Sequence, residues 1–131
     1  AGTHQLQMEW SGWEDPDRVK CRFCQMVFPN DQYPEDQTVT ARNPRGQRVS
    51  YRYFHDDQAK YFFSARARYA RKAWLAAQTL KLAKLAYLSK EPAHERKAIV
   101  LLDAFGEKYP GWCVMSDRHY QESGPLDSHP T

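Results

Sequence analysis

Between Ser64 and Glu91 the chain contains neither glycine nor proline, and Ala, Leu, Lys and Arg dominate it. An unbroken run of strong helix formers leaves little alternative to one long helix. Ser64 is the natural N-cap, and Tyr69, Ala73, Ala76, Ala77, Leu80, Ala83 and Tyr87 recur at spacings of three and four, the period of one helical face. Trp74, Leu75, Leu82, Leu85 and Leu88 widen the apolar surface around the cylinder, so this helix is expected to pack on more than one neighbour. Ser89-Lys90-Glu91-Pro92 then makes a short turn, with Pro92 at the first position of a second helix whose stripe runs Ala98, Leu101, Leu102, Phe105, Tyr109. Pro110-Gly111 ends it. The expectation is an αα-hairpin from about Ser64 to Tyr109, with a connection of the length found in bundles, toroids and solenoids.

The sequence ahead of this hairpin has a different texture. Residues 1–63 are rich in Pro, Asn, Asp and aromatics, with turn signals at Asp15-Pro16, Pro29-Asn30-Asp31 and Asn43-Pro44-Arg45-Gly46. Val39–Arg42 and Gln47–Phe54 flank the last of these, and V-S-Y-R-Y-F alternates in the manner of a strand until Tyr53 and Phe54, so a β-hairpin is predicted. The fold class read from these patterns is α+β: a β-rich segment over 1–63, an αα-hairpin over 64–112 and an irregular tail over 113–131. No second copy of the hairpin occurs at a fixed period.

Charge and cysteine content bound the function. Nineteen Lys and Arg against 16 acids leave a formal charge of +3, too mild to imply nucleic acid and sufficient to permit an acidic partner. No run approaches the roughly 18 apolar residues of a membrane span. The three cysteines, Cys21, Cys24 and Cys113, cannot all pair within the chain. Cys21 and Cys24 stand two residues apart among β-favouring residues, in V-K-C-R-F-C-Q-M-V-F-P-N-D, a spacing that lets two thiolates face one tetrahedral zinc from a backbone knuckle. Redox work would need the first thiol at a helix N-terminus, and here strand and turn follow. Gln25 occupies the place where many knuckles carry glycine to relieve a left-handed backbone. His4, seventeen residues before Cys21, is the preferred third ligand, with a fourth expected upstream of Ala1; His55 is the alternative within the chain. Cys113, beside Trp112, reads as a buried small apolar residue.

A second constellation, Y-F-F-S-A-R-A-R-Y-A-R-K-A-W from Tyr61 to Trp74, interleaves cations with aromatic rings. Guanidinium groups pair with carboxylate, sulfate or phosphate, and rings stack on sugars or bases, so Arg66, Arg68 and Tyr69 are candidate contributors to an anionic groove. Exposed helix faces are commonly basic too, which is the plainer account. No Ser/His/Asp arrangement, phosphate-cradling glycine loop or paired helical carboxylates stands out, and Asp56-Asp57 reads as a turn.

Together, W-x-G-W-E-D-P (Trp10 to Pro16), the cysteine segment from Val19 to Asp31, the basic helix start and L-L-D-A-F-G-E-K-Y-P-G-W (Leu101 to Trp112) resemble the N-terminal portion of bacterial heparinase II/III-like proteins. Such proteins are similar to polysaccharide lyases, with an α/α toroid followed by β-sandwich domains. The resemblance implies that the αα-hairpin opens a toroid left incomplete here, in a secreted or periplasmic protein. It also implies an acidic polysaccharide as partner and cleavage by β-elimination, in which a base removes the proton beside a uronate carboxylate while a polar or cationic group neutralises it. None of the family's catalytic groups maps to a position of this chain, so the chain is expected to be an excised fragment, silent alone and prone to self-association through an apolar flank. A small zinc-stabilised module that binds nucleic acid or protein is the alternative.

Overall fold

Phe62 and Phe63, adjacent in sequence at the start of the long helix, enter two different cores, and the architecture follows from that division. The computed structural model describes residues 8–57 and 59–112. Its first sheet has the order β1-β2-β3, from β1 (Met8–Ser11), β2 (Asp15–Cys21) and β3 (Val27–Phe28). The second has the order β4-β5-β6, from β4 (Gln37–Arg42), β5 (Arg48–His55) and β6 (Lys60–Tyr61). All pairings are antiparallel, and α1 (Phe63–Ser89) and α2 (Pro92–Lys108) complete an α+β fold.

Phe63 and Ala67, one turn apart on α1, bury against Val19, with Met8, Trp10, Phe28, Tyr33, Phe54 and Tyr61 around them. Phe63 stacks on Phe28 at 4.8 Å and on Tyr61 at 6.1 Å. Phe62 and Ala65 instead meet Val39 of the second sheet, flanked by Tyr51 and Tyr53. The alanines admit both sheets close to the helix axis. β5 serves both cores because successive side chains point to opposite faces and both Tyr53 and Phe54 are aromatic: Tyr53 packs on Phe62, and Phe54 meets Tyr33 and Tyr61.

The helix start departs from the sequence expectation. Phe62, not Ser64, holds the N-cap position and gives no side-chain cap. Buried Glu35, 29 residues upstream, does so instead: its carboxylate accepts the Ser64 amide at 2.9 Å and the Ser64 hydroxyl. A carboxylate here satisfies an orphan helical N–H and complements the helix dipole.

The predicted β-hairpin is present, with Arg42 paired to Arg48 across Asn43-Pro44-Arg45-Gly46. Buried Asn43 organises this turn. Its Oδ1 accepts the amides of Arg45 (3.0 Å) and Gln47 (2.9 Å), and its Nδ2 donates to Gln47 Oε1 and, across 68 residues of sequence, to the Gly111 carbonyl at 2.8 Å. Arg45 Nη2 adds a bond to the Glu107 carbonyl at 2.8 Å, so the turn holds the far end of α2.

The αα-hairpin is present, with Pro92 at the start of α2. Its packed surface follows the predicted stripe of α2 at Ala98, Leu101 and Phe105 and departs from the Tyr69-to-Tyr87 stripe on α1. Buried Thr79 and half-buried Leu75, Leu82 and Ala86 lie along the inner side of α1, and buried Ala98 with half-buried Leu101 and Phe105 lie along that of α2. The Tyr69-to-Tyr87 stripe is open instead: Tyr69, Ala73, Ala76, Leu80, Ala83 and Tyr87 are all exposed, as are Ile99, Val100, Leu102 and Tyr109 of the second helical segment. With apolar residues on every side, periodicity alone cannot choose the face that packs. The tail over 113–131 lies outside the described residues.

Candidate functional site

Cys21 ends β2, and the chain reverses immediately beyond it. The Gln25 amide donates to the Cys21 carbonyl at 3.0 Å and the Cys21 amide to the Met26 carbonyl at 2.8 Å, closing a knuckle that returns the backbone into β3. Gln25 takes the left-handed conformation, φ 62°, that the sequence suggested would suit glycine, and its side chain donates to the Arg22 carbonyl at 2.9 Å. Cys21 is buried and Cys24 exposed, both as free thiols. The Cys24 amide, then the Phe23 amide, donate to the Cys21 sulfur and hold its thiol below the ordinary thiol range; the Cys24 side chain adds to this, against the opposing effect of burial. Among the described residues no third metal-ligating side chain joins the two thiols. The alternative ligand His55 is exposed at the end of β5, edge-on to Tyr53 at 6.5 Å, and forms no cluster with the thiols. His4 and Cys113 lie outside the described residues.

The basic start of α1 presents cations over rings. Arg66, Arg68, Arg71, Lys72, Lys81 and Lys84 give α1 six basic residues and no acid. Arg71 is tied down by the Pro16 carbonyl and the Asp17 carboxylate, each at 2.8 Å. Arg66 lies over Tyr69 at 5.5 Å and Arg68 over Tyr51 of β5 at 5.8 Å, and no carboxylate among the described residues forms an ion pair with either. One turn beyond Arg68, Lys72 sits 4.0 Å from the Trp112 ring. The structure therefore brings Arg66 and Tyr69 together and places Arg68 elsewhere, since residues two apart on a helix point about 200° apart. Arg68 belongs with Lys72 of the same constellation and with Tyr51 and Trp112, two residues that the sequence pattern did not connect with it. The i, i+4 spacing of Arg68 and Lys72 was the available signal.

An aromatic shelf stands on the first-sheet side of α1. Trp74 lies edge-on to Trp10 at 6.4 Å and to Trp13 at 6.3 Å, and Trp13 is 86% exposed. Trp10 is anchored by its indole N–H on the Pro16 carbonyl at 2.9 Å. A Cβ at Gly12 would sit 2.9 Å from the Trp10 ring, so the second residue after Trp10 must be glycine for the ring to lie across the turn.

Burial, and then the neighbouring Asp56 carboxylate that accepts a hydrogen bond from it, raise the Tyr61 hydroxyl above the ordinary phenol value. That is the wrong direction for a base in β-elimination, which needs a phenol that ionises easily. Among the described residues no helix is long and apolar enough to cross a membrane. No protein-family model, curated protein or solved structure matches this chain.

Proposed function

We propose that this chain is the glycan-contacting first part of a polysaccharide lyase-like protein, in which α1 and α2 form the opening hairpin of an α/α toroid and the cation–aromatic couples of α1 contact an acidic polysaccharide. The observation that carries this reading is the pairing of cations with rings along α1: Arg66 over Tyr69, Arg68 over Tyr51 and Lys72 over Trp112. A uronate residue offers a carboxylate to a guanidinium and a C–H face to an aromatic ring, so such couples answer both of its features. Among the described residues no carboxylate pairs with the Arg66 or Arg68 guanidinium, which leaves their charge to a ligand. The toroid reading is supported by the open apolar sides of both helices, the surfaces on which succeeding helices of a ring would pack. The chain's contribution is binding; the base and carboxylate-neutralising group of β-elimination are assigned to no residue of it.

The test is calorimetric titration of the full chain, at one fixed salt concentration, with a uronate oligosaccharide, a neutral glucan of equal length and a single-stranded oligonucleotide of matched charge. Preference for the uronate, with Arg68→Ala and Arg66→Ala each weakening it by about tenfold, is the expected result. Equal or tighter oligonucleotide binding would instead favour the nucleic-acid module, because salt sensitivity is common to all polyanion binders. Absence of binding to all three overturns the reading.

A further inference from the structure

We infer that the tryptophan shelf beside the first sheet is a separate sugar site, built for a neutral β-linked pyranose whose ring lies on Trp13. The observation behind it is where Trp13 stands. Ser11 pairs with Asp15 across the β1–β2 hairpin, so Gly12, Trp13 and Glu14 form its tip, and the Glu14 amide donates to the Ser11 hydroxyl at 3.2 Å. Tips of this kind ordinarily carry small polar residues. Trp13 is large and apolar, is 86% exposed and enters neither core, so folding gains little from it. Its position is nevertheless held: Trp74 meets it edge to face, with the planes at 89°, and Trp74 rests in turn on Trp10, whose indole N–H is bound by the Pro16 carbonyl. A ring that is held but not covered loses little freedom when a ligand stacks on it.

The rim of the shelf supplies polar groups. Arg71 and Trp74, one turn apart on α1, face the hairpin together: Trp74 meets the rings, and Arg71 donates to the same Pro16 carbonyl and to the Asp17 carboxylate, each at 2.8 Å. The Asp17 side chain remains 84% exposed, and Glu14, next to Trp13, forms no ion pair among the described residues. A sugar matches this combination. Its axial C–H groups lie on the indole face, while its hydroxyls donate to a carboxylate and accept from a guanidinium. β-Linked glucose and xylose fit best, because equatorial hydroxyls leave C–H groups on both faces of the ring. The exposed acids repel a uronate, so the shelf selects an uncharged sugar. A protein partner matches poorly: Asp and Glu are depleted from interface cores, and one tryptophan offers about 150–250 Å² where a stable contact takes about 800 Å² from each side. Trp74 and Lys72, two positions apart on α1, point about 200° apart, so the shelf is distinct from the Lys72–Trp112 couple and the inference does not rest on the uronate reading.

Fluorescence and calorimetric titrations of the full chain with cellohexaose, with xylohexaose and with a uronate hexasaccharide, at one fixed salt concentration, test it. The expected result is a blue shift of tryptophan emission with at least one neutral hexasaccharide, whose dissociation constant rises about tenfold in Trp13→Ala and less in Trp13→Phe. Trp13→Ala should leave the circular dichroism and the uronate titration unchanged, whereas Arg68→Ala should weaken the uronate alone, so the two sites fail separately. The inference is overturned if both neutral hexasaccharides leave emission and heat unchanged, if Trp13→Ala binds them like the parent, or if it loses the uronate to the same extent. It is overturned equally if the parent self-associates in sedimentation and Trp13→Ala is monomeric, which would make the shelf a contact between copies of the chain.

Discussion

The two halves of α1 are both built of helix-forming residues and have opposite surroundings. The first turns are wedged between two sheets, with Phe63, Ala65 and Ala67 buried, whereas Leu80, Leu85, Tyr87 and Leu88 of the later turns are exposed. Local propensity accounts for the existence of the helix along its whole length. Its stability comes from what lies against it, and that differs between the ends. The contrast also divides function: both cation–aromatic couples that reach off the helix, to Tyr51 and to Trp112, lie in the first half, where sheet and α2 hold the rings still.

The largest effect that would test this contrast belongs to Phe63. Phe63→Ala should cost about 3–5 kcal/mol of unfolding free energy in urea, since it empties the first-sheet core; a loss below about 1 kcal/mol would show that the wedge is not where stability resides. Next is Glu35→Ala, expected to cost about 1–3 kcal/mol by leaving the α1 start uncapped, and visible as faster amide exchange in the first turn. Asn43→Ala should cost about 1–2 kcal/mol and loosen the end of α2 in the same measurement. Tyr61 offers a smaller effect with a definite sign. Its hydroxyl titrates above the ordinary phenol value, so its contribution is complete below about pH 10 and lost as pH rises through the folded value. Thermal unfolding of Tyr61→Phe should therefore show a shallower alkaline decline than the parent. Smallest of all, Leu88→Ala should change stability by no more than about 0.5 kcal/mol; a cost like that of Phe63→Ala would reveal a covered distal flank.

Much of this organisation is legible in the sequence. Asn43-Pro44-Arg45-Gly46 marks its hairpin because proline and a left-handed glycine leave the backbone few other shapes, and Pro92 marks the start of α2 for the same kind of reason. The cysteine spacing likewise announces the knuckle. What escapes is everything decided across distance. Glu35 caps a helix 29 residues away, so no local pattern around Ser64 could have named it. Trp74 finds Trp10 and Trp13 only because the first sheet folds back on α1. Arg66 and Arg68 are neighbours in sequence, yet α1 turns them toward different rings, because proximity along the chain is not proximity around a helix. Apolar residues all round α1 predict packing on more than one side without choosing Leu75, Leu82 and Ala86 over the Tyr69-to-Tyr87 stripe.

The bonds from Asn43 to Gly111 and from Arg45 to Glu107 have a mechanical consequence. They fasten the last helical turn to a β-hairpin formed far earlier in the chain. A pull on the backbone beyond Trp112 is therefore borne first by the β4–β5 turn, and only after those bonds part by the contacts between α1 and α2. Whatever follows Trp112 is in this sense tethered to the second sheet, and a tug on it would register beneath Tyr51 and Arg68.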